Sequence, residues 1–280
     1  MQPGLAAAHQ WFSRACPKTL AGEMAELGAK FAEFGSDLPE LESHPEWLYA
    51  CRESGLTIFF HLPYQKIYNL KYFRQPESRE ALLNLFEFYH QTALKQNAEC
   101  RVNLHSAQGN AEDDLGKLYQ LTQEALRWIY RQRTEKGWNL EFSVELLPFN
   151  PEKKRVGDNI PSLLLLKEIL PDLKLNFCLD LGHYHLNYLL GKDGELPRDF
   201  LKQVTHVHFH DICRGVDHYP VSCREVPFEA YLSLLPNNHT TIGLEIHHEF
   251  AVLKGEPLSG LKRSLVELTG LIAKLDGKGY

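Results

Sequence analysis

Residues 113–149 read "DDLGKLYQLTQEALRWIYRQRTEKGWNLEFSVELLPF". The first part, 113–136, has apolar residues at helical spacing and Asp at its start, so it reads as a long capped helix. The end, "LEFSVELLPF" (140–149), is rich in β-formers and reads as a strand. A long helix feeding a strand through a short loop is half of a βαβ unit.

The same unit recurs along the chain. "AKFAEFGS" (29–36), "LTIFFHLPY" (56–64), "CRVNLHSA" (100–107), "LKLNFCLDLGH" (173–183), "THVHFHDI" (205–212) and "TTIGLEIHHE" (240–249) read as further strands. Helical patterns lie between them. "ESREALLNLFEFYHQTALKQ" (77–96) is the clearest, and "IPSLLLLKEIL" (160–170) carries Pro in its first turn. "PRDFLKQV", "PFEAYLSLL" and the closing "LSGLKRSLVELTGLIAKL" complete the set. Strands recurring about every 30 to 40 residues with helices between them imply right-handed crossovers and a parallel sheet. Seven strands are evident, and an eighth is expected near "GLAAAHQWF" (4–12). Eight such units close into a (β/α)8 TIM barrel, here expected as a single domain over residues 1–280. A doubly wound open sheet is the runner-up, and the lack of a Gly-rich phosphate loop after any strand counts against it.

Composition fits an enzyme of this size. Hydrophobic residues make up 44% and charged residues 24%, with a net charge of −6. That balance argues against a dedicated nucleic-acid binder, while leaving room for a local basic patch. The longest apolar run is broken by Lys167, so no membrane span is expected. The N-terminal stretch lacks a basic region followed by a long apolar one, so no signal peptide is expected and a cytoplasmic location is. The six cysteines form no CxxC pair, and reduced thiols are expected.

The chemistry is concentrated where strands end. His61, His105, Glu145, Asp180, His183, His208 and Glu245 each lie at or near a strand's C-terminal end, and His218 follows shortly after. In a barrel those ends converge on one face. A lone His or Glu there would be an ordinary hydrogen-bonding residue. Glu145, Asp180 and Glu245 together would repel one another and resist desolvation unless one or more divalent cations joined them. His206, His208 and His210 share one strand face, with His208 best centred at the strand end. Asp211 is expected to orient the site or cap its loop, and His247 and His248 to sit on the rim.

These motifs resemble the xylose-isomerase-like TIM barrels, a superfamily that includes the endonuclease IV type. The resemblance runs from about Ala29 to Glu249 and rests on the order of "HLPY", "NLH", "VEL", "CLDLGH", "HFHD", "DH" and "LEI". It implies two possible sites. In the isomerase and epimerase branch, one metal would be held by Glu145, Asp180, His208 and Glu245. Glu145 and Glu245 would also move the substrate proton, with His183 and Arg214 contacting substrate. In the endonuclease IV branch, nine residues hold three zinc ions. His61, His105, Glu145, Asp180, His183, His208, His218 and Glu245 match eight of them. The ninth, an Asp, would stand where Val216 does, so Asp217 would have to serve.

The additional histidines favour a multi-metal phosphodiesterase with two or three zinc ions, or manganese or magnesium in their place. Tyr64 matches a DNA-facing position of the endonuclease IV type, which implies contact with substrate. Looser likeness to cobamide-remodelling phosphodiesterases makes a cobamide nucleotide loop the leading substrate, ahead of DNA. The alternatives are a single-metal sugar or sugar-phosphate isomerase or epimerase, an abasic-site endonuclease, and a barrel that binds a small molecule without turnover.

Overall fold

The computed structural model describes residues 1–6, 8–11, 15–236, 240–247, 249–251 and 258–277. Eight parallel strands close into a barrel: β1 (Gln2–Leu5), β2 (Phe31–Phe34), β3 (Thr57–His61), β4 (Cys100–Leu104), β5 (Leu140–Glu145), β6 (Asn176–Asp180), β7 (Val204–Phe209) and β8 (Thr241–Leu244). Each pairs with its sequence neighbours, and β1 closes the ring against β8 with Gly4 opposite Gly243. Closure excludes the open-sheet alternative. The first strand begins earlier than expected: Ala8–Trp11, inside the stretch proposed for it, forms a 3₁₀ turn.

Helices return the chain between strands because each carries its own stop and start signals. Asp114 accepts a hydrogen bond from the Lys117 amide and caps Leu115–Lys136. Gly137 ends that helix with φ of 65°, a left-handed conformation that suits glycine. Asn159 caps Ile160–Ile169 in the same way as Asp114. The helices bury their apolar faces on the outside of the barrel. In Pro76–Gln96, Tyr89 stacks on Phe60 at 3.8 Å and Phe86 meets Phe142 edge-on at 5.3 Å. Fully burying such rings contributes roughly 2–3 kcal/mol each. Among the described residues, no helix is long and apolar enough to cross a membrane.

The inside of the barrel is unusually polar. Residues alternate between the helix layer and the barrel axis. Thus Val102 and Leu104 pack outward, whereas Arg101 and Asn103 point in and bond to residues of other strands. At the N-terminal end, Arg101 pairs with Glu141 at 3.1 Å and donates to Thr241 at 2.6 Å, and Asn176 donates to Glu141. Above this lies Phe31, stacked near Phe59 and against the edge of His206. Phe31 fits because β1 offers Gly4: a Cβ there would collide with its ring. Above these rings, the axis is occupied by carboxylates and imidazoles.

Two antiparallel ribbons rise from the C-terminal face. One pairs Gln108–Asn110 with Lys153–Arg155, and the other pairs Asp211–Cys213 with Val216–Tyr219. The second corrects the expectation of six reduced cysteines. Its return path brings Cys223 to Cys213, with a Cα separation of 5.6 Å, and the two form a disulfide. Cys16, Cys51, Cys100 and Cys178 are free thiols.

Candidate metal centre

The strand ends place Glu145 (β5), Asp180 (β6), His208 (β7) and Glu245 (just after β8) around one point. Their ligand atoms lie within 4.8 Å of one another, and all four side chains are buried. His208 Nδ1 is 2.8 Å from Glu245 Oε2, 3.7 Å from Glu145 Oε2 and 3.8 Å from Asp180 Oδ2. Glu145 Oε1, His208 Nδ1 and Glu245 Oε2 are buried without a hydrogen-bond partner. Buried polar atoms are almost always satisfied, so three such atoms on residues of one cluster call for a partner.

The imidazoles are arranged in a way that suits a cation. His208 Nε2 is 3.3 Å from Glu33 Oε1, so His208 lies between two carboxylates. A neutral imidazole has one N–H. If it donates to Glu33, the Nδ1 lone pair faces the oxygen of Glu245. A divalent cation between them resolves that conflict, as does a second ring proton, which the acidic neighbours favour. His61 is in the same position: Nδ1 is 3.0 Å from the Leu62 carbonyl and Nε2 is 2.8 Å from Glu145 Oε2. These donors are the nitrogen and oxygen ligands that divalent transition metals and magnesium or manganese accept. The residues therefore fit a cation.

Burial alone would raise the carboxyl pKa values, but the surrounding imidazoles outweigh it. Glu145 is held low by His105 and His208, Asp180 by His183 and His210, and Glu245 by His208 and His218. All three stay ionised. Desolvation lowers the pKa values of His105 and His183; it opposes protonation of His61, His208 and His218 too, but the adjoining acidic groups outweigh it there and raise them.

Around this quartet lie the other predicted residues. His61 and His105 sit over Glu145, their rings 4.4 Å apart, and they form a second converging group with it. His183 is in the first turn of the helix Leu181–Leu189 rather than on the strand. Asp180 caps that helix by accepting from the His183 amide at 2.7 Å. His183 Nδ1 lies 3.1 Å from the Leu146 carbonyl, leaving Nε2 toward the cavity. Asp217 lies 3.6 Å from His183 Nε2 and 3.1 Å from His218 Nδ1. It belongs to none of the converging metal-competent groups found among the described residues. Val216 points to solvent, 46% exposed.

A cavity of about 360 Å³ opens above the centre. Glu245, His61, Tyr64, His183, Asp217, His218 and His247 line it together with Gln10, Gln108, Leu147, Pro148 and Arg155. Tyr64 leans over His61 and His105. Glu145 is fully buried beneath the two histidines. Arg214, expected to touch substrate, does not line the cavity: it is exposed at the tip of the second ribbon, with its amide donating to Glu225. His248 lies outside the described residues.

His206 and His210 have supporting positions. His210 Nε2 meets Asp180 at 2.9 Å and its Nδ1 accepts from the His218 amide at 2.9 Å, so both nitrogens are occupied. A Cβ at residue 182 would overlap the His210 ring, and Gly182 leaves that space free. Asp211 accepts from the amides of Ile212, Arg224, Glu225 and Val226, which fixes the loop.

Two functional candidates were not foreseen. Glu33 on β2 is 1% exposed and bonds both His206, at 2.7 Å, and His208. Its pKa falls to about 2: burial opposes ionisation, but the two imidazoles prevail. Arg155 faces the cavity from the first ribbon. The signal for Glu33 was present in "FAEF", where an acid alternates with inward-facing Phe31. Arg155 lies in a loop stretch whose ribbon structure has no strand-like composition.

The chain matches the model of the xylose isomerase-like TIM barrel family over residues 22–265, and it belongs to that family. No curated protein matches it. Solved structures resemble it over nearly their whole length. A D-tagatose 3-epimerase-like protein is 16% identical, with all of both chains covered and a TM-score of 0.72. D-allulose 3-epimerase from Methylomonas sp. is 11% identical, covering 97% of this chain and 98% of its own, at 0.73. The 3-keto-D-glucoside 4-epimerase from E. coli is 13% identical, covering 96% and 99%, at 0.69. These relatives overturn the expectation of a phosphodiesterase: they are named as sugar epimerases. The hydrolase, its cobamide substrate and its zinc requirement have no support among them.

Proposed function

We propose that this protein is a divalent-cation-dependent isomerase or epimerase of a small sugar. The observation that carries the proposal is the buried quartet of Glu145, Asp180, His208 and Glu245, with three ligand atoms lacking any protein partner. These residues would hold the cation. When bound, the cation supplies a Lewis acid that polarises a carbonyl and makes the adjacent C–H more acidic.

The chain supplies the proton transfer. Glu245 is ionised and borders the cavity, so its free oxygen can take a proton from the carbon beside the carbonyl. Glu145 is also ionised and offers its free Oε1 as the second carboxylate. Inversion at one carbon needs a proton removed on one face and another delivered on the opposite face. Two carboxylates about a shared centre meet that need. His183 and His218, on the cavity wall, are placed to bond substrate hydroxyls, and Tyr64, Leu147 and Pro148 shield the centre from water.

A second reading concerns the number of cations. His61, His105 and Glu145 also converge, and His105 Nε2 is buried without a partner. Asp180, His183, His210 and His218 form a further converging group, and metal analysis of the purified protein decides between one ion per chain and more.

The function is tested by giving the apoprotein Mn, Mg, Co or Zn and following a panel of free ketoses and aldoses by NMR. The expected result is an isomeric sugar whose formation stops on chelation. Metal-loaded protein that converts none of them would defeat the proposal.

A further inference from the structure

Two ribbons stand over the centre on opposite sides. The first pairs Gln108–Asn110 with Lys153–Arg155; its strands follow β4 and β5, so it rises on the side of Glu145. The second carries Asp217 and His218 and follows β7. It is tied to the end of β8, where the His247 amide donates to the His218 carbonyl at 3.1 Å, so it rises on the side of Glu245. In the ring of eight strands β4 lies opposite β8, and the two ribbons flank the cavity of about 360 Å³.

Each ribbon brings one charged side chain to that cavity, Arg155 from the first and Asp217 from the second. Arg155 is the only lysine or arginine on the wall among the described residues. A guanidinium carries five N–H groups in a planar fork. Arg155 donates from Nη1 to the Pro148 carbonyl at 2.8 Å, and its buried Nε has no partner. Unpaired donors at a half-buried position are costly, and those of the fork that border the cavity remain for a ligand. Asp217 is the converse. It joins none of the converging metal-competent groups, and it meets only imidazoles, His218 Nδ1 at 3.1 Å and His183 Nε2 at 3.6 Å. A carboxylate accepts several hydrogen bonds, so Asp217 keeps acceptor capacity on the cavity wall. Asn69 clamps the first ribbon through both Gln108 backbone groups, and Asp211 fixes the base of the second, so both side chains stand on braced backbone.

From this we infer that Arg155 and Asp217 are a positioning pair for the sugar's hydroxylated tail. Arg155 donates to a hydroxyl oxygen beyond the reacting carbons, and Asp217 accepts from another hydroxyl across the cavity. Together they set which carbon stands at Glu245. The inference rests on the isomerase reading of the centre beneath. Hydroxyls suit this wall better than an anionic group does. An anion beside Arg155 would share the cavity with the carboxylates of Asp217 and Glu245, whereas a hydroxyl both accepts and donates and carries no charge to repel. Neither residue reaches the reacting atoms: their effect is on where the sugar lies.

The test compares the accepted sugar with a series of its deoxy analogues, each lacking one hydroxyl beyond the reacting carbons, on metal-loaded protein. Arg155→Met is expected to lower kcat/KM on the full sugar by about 10- to 100-fold, the range of a lost charge-assisted hydrogen bond. KM should rise more than kcat falls, because the contact is made in the ground state and the transition state alike. One deoxy analogue should be spared: the parent handles it as poorly as the variant handles the full sugar, and the variant makes it no worse. Asp217→Ala should show the same pattern with a different hydroxyl. Arg155→Lys, which keeps a charged donor, should recover part of the loss. A loss of equal factor on every sugar would make Arg155 a brace for the ribbon through Pro148 and overturn the pair, leaving the isomerase reading intact. Calorimetry with sorbitol, a linear polyol without a carbonyl, separates the two claims. Binding that weakens about tenfold or more in Arg155→Met, with no sugar isomerised, supports the pair and defeats the isomerase reading. Binding that Arg155→Met and Asp217→Ala both leave alone overturns the pair.

Discussion

Glu245→Gln is expected to lower kcat on the accepted sugar by about 10²- to 10⁴-fold, the range that a positioned general acid–base group supplies. The side chain keeps its size, so the barrel should fold unchanged. Glutamine cannot take a proton, and it also removes one of the negative charges facing the cation. These two effects are separated by raising the metal until analysis shows full loading. Lost affinity would then be restored and lost proton transfer would not. Glu145→Gln should also lose turnover. Its carboxylate is fully buried, with Oε2 engaged by His61 and Asn103, so a larger share of its loss should appear as weakened metal binding. Turnover of loaded Glu245→Gln within tenfold of the parent would remove Glu245 from the proton-transfer role.

Glu33→Gln is expected to weaken cation binding by 10- to 100-fold, the usual cost of losing a carboxylate behind a ligating histidine. Glu33 spends both oxygens on imidazoles, one on His206 and one on His208. It therefore fixes the His208 N–H on Nε2 and leaves Nδ1 for the metal. The glutamine can still be satisfied. Its oxygen accepts from His208, and its amide donates to His206, which changes tautomer and donates from Nδ1 to the Thr241 hydroxyl, now 2.7 Å away. The fold should survive while the charge that makes His208 a strong ligand is gone. Competition titration and the visible spectrum of the Co(II) protein read this directly. Acid unfolding gives an independent readout. Glu33 titrates at about 2 instead of 4.5, so its ion contributes stability that is present above about pH 4.5 and lost as pH falls toward 2. The glutamine variant should lack that part of the acid sensitivity. Unaltered metal affinity would reduce Glu33 to a structural role.

The barrel was legible because its strands and helices carry opposing periodicities. "LEFSVELLPF" following "DDLGKLYQLTQEALRWIYRQRTEKGWN" states both within one unit, and the structure ends the strand on Glu145. The strand-end acids and histidines were legible for the same reason, since parallel strands in a ring bring their ends together. What escaped reading depends on the third dimension. Glu33 stands in mid-strand, and only the closing of β2 against β7 across the axis gives it two imidazole partners. The ribbon carrying Lys153 and Arg155 has the composition of a loop and is held by Asn69, a residue 39 positions from Gln108 in sequence. Arg214 was misplaced because sequence order cannot show which way a hairpin tip points. The disulfide escaped because a ten-residue spacing between Cys213 and Cys223 says nothing until a turn brings them together. The additional histidines misled the functional reading: His61, His105 and His218 do join converging groups, but the solved structures that resemble the chain are named as sugar epimerases.

Proton transfer at carbon is read out by incorporation of solvent isotope. Metal-loaded protein would be incubated with the accepted sugar in D₂O and the product examined by ¹H NMR. Deuterium is expected at the carbon beside the carbonyl, with no incorporation without the cation and none with Glu245→Gln. Isomer formed with its original C–H hydrogen retained throughout would contradict it.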